Sequence, residues 1–220
     1  MIQAVLFDVV GTTVLEKDHT VISQCFDAAF QAHGLSPDPE LITANRGLDK
    51  KEMIARLVTH HGLPSAMVKT LFDDFVKRVE KQVSAFEAHP EAAPLFDFLN
   101  GQGIRLGLGS GLPAELLDLL LRHIGWAPSR FDFVGTPGPN LRGRPHPDMI
   151  ILMLQRVGIR TPTTLLKVGD TAADVAEGKN AGALTAAVLS GTQSRHTLLA
   201  AQPDYLLHRL GDVRNIVTSR

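Results

Sequence analysis

Cysteine, tyrosine and tryptophan each occur once in the 220 residues, and neither sign of charge dominates: 22 lysines and arginines face 23 aspartates and glutamates. The single thiol, Cys25, excludes an internal disulfide and suits a reducing compartment. A net charge of −1 with histidine neutral lacks the electrostatic footprint of a nucleic-acid or anionic-membrane binder. No uncharged apolar stretch approaches the roughly 20 residues that span a bilayer. The N-terminus runs straight into a strand-like segment, without the basic region and cleavage site of a signal peptide. These absences point to a soluble cytoplasmic protein that handles small molecules rather than nucleic acid or membrane. A homodimer is left open. What is present is an ordinary globular composition, 44% hydrophobic and 20% charged.

Short apolar runs at residues 2–8, 104–108, 131–134, 165–168 and 184–189 read as buried strands. Helical patterns separate them, among them 113–124 with Leu116, Leu117, Leu120 and Leu121, and 147–157 with Ile150, Ile151, Leu154 and Val157. Each begins near a proline, which a first helical turn tolerates. Strands alternating with helices predict an α/β fold, a doubly wound parallel sheet covered on both faces. Between about residues 15 and 90 only helical patterns are legible: 19–33 ended by Gly34, 50–61 ended by Gly62, and 64–86 with Met67, Leu71, Phe75, Val79 and Val83 at four-residue steps. The expected organisation is an α/β core from 1–14 and 91–220, with an inserted all-helical cap at 15–90. Hinges are expected near Leu15–Lys17 and His89–Pro90. Cys25, on a cap helix, reads as a core residue.

In open parallel sheets, ligands bind outside the carboxyl ends of the strands. The first strand ends in Asp8, followed by Val10, Gly11, Thr12 and Thr13; the run at 104–108 ends in Gly109, Ser110 and Gly111; the run at 165–168 ends in VGDTAADV, with Asp170 and Asp174. GRPHPD places Arg144 just before a helix. Alone, each has an ordinary structural reading: Asp8 as a turn former, Ser110 as a cap, Asp174 as a carboxylate favoured by a helix dipole, Arg144 as a surface ion-pair partner. GLGSG hints at a dinucleotide loop but lacks the GxGxxG spacing. Together they suit phosphoryl transfer. A carboxylate can attack phosphorus and form an aspartyl-phosphate. Mg²⁺ prefers oxygen ligands, which Asp8, Asp170 and the Val10 carbonyl would supply, with Asp174 holding a bound water. Thr12, Ser110, Gly111 and Arg144 would hold the phosphoryl oxygens.

This ordered set (DxxGTT, a hydroxyl after the second core strand, GRPxPD and GDTxxD) resembles the haloacid dehalogenase superfamily over essentially the whole core. An apolar residue two positions after the first Asp, with Arg in GRPxPD, resembles the phosphonoacetaldehyde hydrolase (phosphonatase) family and the phosphonatase-like hydrolases. The resemblance implies a Mg²⁺-dependent hydrolase of a small phosphonate, in which a cap lysine condenses with the substrate aldehyde. C–P cleavage then releases an enamine. NRGLDKKEM resembles the lysine-bearing cap loop and puts Lys50 at the Schiff-base position. Arg46 and Lys51 would lower its pKa, and Asp49 would oppose them. The chain departs from the family at Arg46 (Met there), Met53 (His) and Leu112 (an aromatic), and lacks the family's cysteine in the first cap segment. The alternative is a phosphomonoesterase resembling phosphoglycolate phosphatases, with water or a cap residue such as His19, His60 or His61 moving protons. A metal-independent 2-haloacid dehalogenase fits poorly with two retained carboxylates at 170 and 174. A non-catalytic interaction module fits poorly with a complete set.

Overall fold

The computed structural model describes residues 1–218. The chain opens with β1 (Ala4–Asp8), turns through Gly11 and enters β2 (Val14–Glu16). Four α-helices follow with no strand among them: α1 (Val21–Gln31), α2 (Pro39–Ala44), α3 (Lys50–His60) and α4 (Met67–Lys81). β3 (Phe86–Ala88) then closes an antiparallel ribbon on β2, with Val14 opposite Ala88 and Glu16 opposite Phe86. From there helices and strands alternate: α5 (Ala92–Gly101), β4 (Arg105–Gly109), α6 (Ala114–His123), β5 (Phe133–Gly135), α7 (Asp148–Val157), β6 (Leu165–Gly169), α8 (Ala172–Ala181), β7 (Leu184–Val188), α9 (Arg195–Ala200), β8 (Tyr205–Leu207) and α10 (Val213–Thr218).

The main sheet has the order β5-β4-β1-β6-β7-β8, and every neighbouring pair is parallel. The chain winds outward from β1 in one direction and then from β6 in the other, the doubly wound arrangement expected. β1 and β6 are buried along their whole length, as unbroken apolar runs in a parallel sheet should be. Alternate residues of β1 serve opposite faces. Val5 and Phe7 join the larger core beneath α5 and α6, while Ala4 and Leu6 join a second core with Met149, Ile150 and Met153 of α7. The scarce aromatics are concentrated: Phe96 meets Phe7, Trp126 and Phe131 edge-on at 5.2–5.4 Å, the geometry favoured by ring quadrupoles.

Two of the glycines in GLGSG have a packing cause. A Cβ on Gly107 would sit 2.6 Å from the Met153 sulfur, and one on Gly109 would lie 3.4 Å from Leu6. They let α7 and the neighbouring strand close on β4, and no dinucleotide loop is needed to explain them.

The structure corrects the helical segment in three places. The expected helix at 64–86 stops at Lys81, and the chain passes through a 3₁₀ turn at Val83–Ala85 into β3. The stretch expected to be purely helical therefore begins and ends in the β2–β3 ribbon, which carries one expected hinge, at Leu15–Lys17, and ends just before the other. Strands of three residues are too short for alternation to declare itself. The third addition is α2, whose N-cap Asp38 accepts from the Glu40 N–H at 2.8 Å, with Pro39 in the first turn. Among the described residues, no helix is long and apolar enough to cross a membrane.

Candidate active site

β1 delivers Asp8 to the carboxyl end of the sheet, between β4 and β6, where the winding direction reverses and a crevice forms. Gly11 then turns the chain at φ 95°, in the left-handed region that side chains avoid. A Cβ there would also lie 2.5 Å from an Asp170 oxygen. The turn thus allows the loop after β1 to close on the loop after β6. Asp170 is held from three directions: Thr12 Oγ1 donates to Oδ1 at 3.1 Å, while the Thr192 N–H and hydroxyl donate to Oδ2 at 2.7 and 2.6 Å.

Asp174 occupies the third position of α8 and forms a capping box with Thr171. It also accepts from Arg144, so the helix-terminus reading and the site reading both hold. Asp8, Asp170 and Asp174 each offer an oxygen within 4.8 Å of the others, and all are buried.

Two buried cations answer these acids. Arg144 Nη1 pairs with Asp8 Oδ1 at 2.8 Å and with Asp174 Oδ1. Lys167, on β6, lies 3.0 Å from Asp174 Oδ1 and 3.2 Å from Glu177 Oε2. Burial alone would raise Asp174, but Arg144 and Lys167 outweigh it and bring its carboxyl down to about 2. For Asp8 burial wins, reinforced by Asp174 and Asp170 against Arg144 and Lys167, and the carboxyl is pushed up to about 7. Burial likewise raises Asp170. The arrangement therefore has more buried negative charge at Asp8 and Asp170 than its own cations neutralise, which is the electrostatic condition for holding a further cation. Arg144 Nε is buried without a hydrogen-bond partner, a donor left over for an anion.

The helical segment supplies the other wall. Asp49 caps α3 by accepting from the Glu52 N–H at 2.7 Å, which fixes Lys50 at the first position of the helix. The Lys50 N–H donates to the Gly111 carbonyl at 3.2 Å, joining this wall to the loop after β4. Asp8, Glu16, Arg46, Lys50, Ser110, Leu112 and Arg144 are among the residues around one pocket of about 40 Å³, space for only a few water molecules. Burial, then Arg144, lowers the Lys50 amine to about 8; Arg46 adds to this, while Asp8 and Glu16 oppose it. Lys51 is exposed, and Asp49 turns to the helix cap.

Contact between the walls is close. A Cβ on Gly111 would stand 2.5 Å from the Leu48 carbonyl oxygen. Gly111→Ala should therefore push the 45–50 loop off the sheet and move Lys50 away from Asp8. A misplacement near 1 Å is worth on the order of 10²-fold in rate, so a loss of that size in kcat/KM is expected with little change in thermal midpoint. Steady-state kinetics beside a melting curve check it.

Of the residues singled out in the sequence, Asp8, Val10, Lys50, Ser110, Gly111 and Arg144 line this pocket, with Asp170 and Asp174 among the carboxylates clustered with Asp8. Thr12 stands behind them, its hydroxyl committed to Asp170. Ser110 Oγ accepts from the Leu112 N–H at 3.1 Å, and its own proton remains available. Sequence reasoning missed Glu16, Lys167, Glu177, Thr171 and Thr192. Lys167 had a signal, a lone charge inside the apolar run LLKVG; Thr192 had none.

A family model described as haloacid dehalogenase-like hydrolase matches residues 2–182. The chain belongs to that family. This hydrolase is 26% identical over 252 residues to the phosphonoacetaldehyde hydrolase of Latilactobacillus sakei, covering 98% of this chain and 95% of the relative. Its fold matches a phosphonoacetaldehyde hydrolase like protein from Oleispira antarctica with a TM-score of 0.85 at 21% identity, covering 99% and 91% of the two chains. It also matches a putative phosphoglycolate phosphatase from Lactobacillus delbrueckii with a TM-score of 0.81 at 18% identity, covering 99% of each.

Proposed function

We propose that this hydrolase is phosphonatase-like: it cleaves the C–P bond of phosphonoacetaldehyde or a related small phosphonate through an aspartyl-phosphate on Asp8, with Lys50 as the Schiff base. One observation carries the reading. The Lys50 amine, lowered to about 8, lines the same small pocket as Asp8, while Val10 stands where a proton-donating carboxylate would otherwise be. A partly neutral amine beside the nucleophile is what a carbonyl substrate needs and what an ordinary phosphate ester does not.

The residues divide the work. Neutral Lys50 attacks the aldehyde carbon, and loss of water leaves an iminium. Asp8 attacks phosphorus, and the C–P electron pair moves toward the iminium nitrogen, so the organic portion leaves as an enamine. Ser110, the Gly111 backbone and Arg144 would hold the phosphoryl oxygens. Water then releases phosphate from Asp8. The oxygen-only donors suit Mg²⁺, held by Asp8, Asp170 and the Val10 carbonyl, with Asp174, already engaged by two cations and a threonine, acting through water. Bound there, Mg²⁺ would neutralise carboxylate charge and polarise the phosphoryl oxygens. Residues 15–90 would form a cap that swings about the β2–β3 ribbon and widens a pocket of about 40 Å³ to admit substrate. The setting would be the cytoplasm.

Phosphate release with Mg²⁺ should be found with phosphonoacetaldehyde and be abolished by EDTA. Because only the neutral amine attacks, kcat/KM should rise with pH through about 8, the lowered value of Lys50. Full activity in metal-stripped protein would remove the assignment. A second reading has its own support: Arg46 lines the pocket and would suit an anionic organic portion, as in phosphoglycolate. Small phosphate monoesters therefore belong in the same assay.

A further inference from the structure

We propose that Glu16 is the acid–base residue of this site, moving the protons that Val10 cannot. The inference rests on the hydrolase reading above and holds for a carbon or an oxygen leaving group.

Among the residues that line the pocket, three carry a carboxyl or amine group: Asp8, Lys50 and Glu16. Asp8 is committed to phosphorus and Lys50 to the carbonyl. The guanidinium groups of Arg46 and Arg144 stay protonated. Glu16 remains.

Its placement is built. The β2–β3 ladder pins its backbone opposite Phe86, and its side chain is only 1% exposed. Oε2 accepts from the Ile22 N–H at 2.7 Å, in the first turn of α1. Oε1 lies 3.6 Å from Arg46 Nη2, too far for a hydrogen bond. Arg46 instead donates to the His19 carbonyl at 3.1 Å and to Ser23 Oγ at 2.9 Å. Glu16 is thus fixed through one oxygen and leaves the other with unused acceptor capacity. The Ile22 hydrogen bond and the Arg46 guanidinium hold the carboxyl in place, and a purely structural residue at the start of a helix would not need to border the reacting groups.

The proton balance is simple. With the aldehyde, Glu16 takes a proton from the nitrogen as neutral Lys50 attacks and hands it to the carbonyl oxygen. A proton taken up from solvent then passes through Glu16 to the hydroxyl, which leaves as water. The products are the iminium cation and ionised Glu16. With an ester, Glu16 protonates the departing oxygen as the P–O bond breaks. It then takes a proton from the water that attacks the aspartyl-phosphate.

Glu16→Gln keeps an acceptor for Ile22 and removes the proton. With Mg²⁺, its turnover of phosphonoacetaldehyde and 2-phosphoglycolate should fall relative to wild type by roughly 10²–10⁴-fold, the usual worth of general acid–base catalysis. Acetyl phosphate, whose carboxylate leaving group needs no proton, should lose far less in the phosphorylation of Asp8. Glu16→Asp retains the carboxyl and should show the same selectivity in milder form. Equal losses on all substrates, or none, in both variants would overturn the role while leaving the hydrolase reading intact. A wild-type protein inert toward every substrate would overturn that reading, and the role with it.

Discussion

Asp8→Asn is expected to bring turnover to background while leaving the protein folded. An amide oxygen is a poor nucleophile toward phosphorus and a weaker ligand for Mg²⁺, and removal of a covalent nucleophile typically costs on the order of 10⁴–10⁶-fold. The fold should tolerate the change. The folded protein holds the Asp8 proton up to about pH 7 against an ordinary value of 3.8, with burial as the largest cause. Ionising it in metal-free protein therefore costs stability as pH rises through that interval. Asparagine removes the cost, and Arg144 keeps Asp174 as a partner. Above pH 7 without metal, the variant should melt no lower than wild type. Phosphate release and thermal unfolding on the same preparation check both halves. Substantial residual turnover would exclude an aspartyl-phosphate on Asp8.

Lys50→Arg should be nearly as damaging to C–P cleavage, by at least about 10³-fold, because a guanidinium stays protonated and forms no iminium under these conditions. It should not disturb the carboxylates: Lys50 Nζ donates to the Leu48 carbonyl at 3.3 Å and belongs to the opposite wall. Mg²⁺ affinity by calorimetry should therefore stay near that of wild type. If the variant instead releases phosphate normally from phosphonoacetaldehyde, the Schiff-base step is wrong and C–P cleavage does not run through Lys50.

The sheet and the carboxylate cluster were legible because long-range physics wrote them into local patterns. Strands buried on both faces read as unbroken apolar runs, and the polar residues ending them converge once the strands run parallel. Asp8, Ser110, Asp170 and Asp174 follow from that rule, and Arg144 from the GRPHPD motif before α7. The rest depended on pairings without a local signature. β2 and β3 are three residues each, 70 residues apart in sequence, and only their ladder explains why Glu16 reaches the pocket. Lys167 and Glu177 come together because a lysine within β6 points at α8. Asp174 had two sequence readings, cap and site residue, and one side chain fulfils both.

The most direct measurement is borohydride quenching during turnover of phosphonoacetaldehyde with Mg²⁺, followed by peptide mass analysis. Reduction of the imine left after C–P cleavage should place an ethyl group on Lys50 and not on Lys51, and Lys50→Arg should take up none. Phosphate release from phosphonoacetaldehyde with no reducible adduct on any lysine would contradict the Schiff-base mechanism.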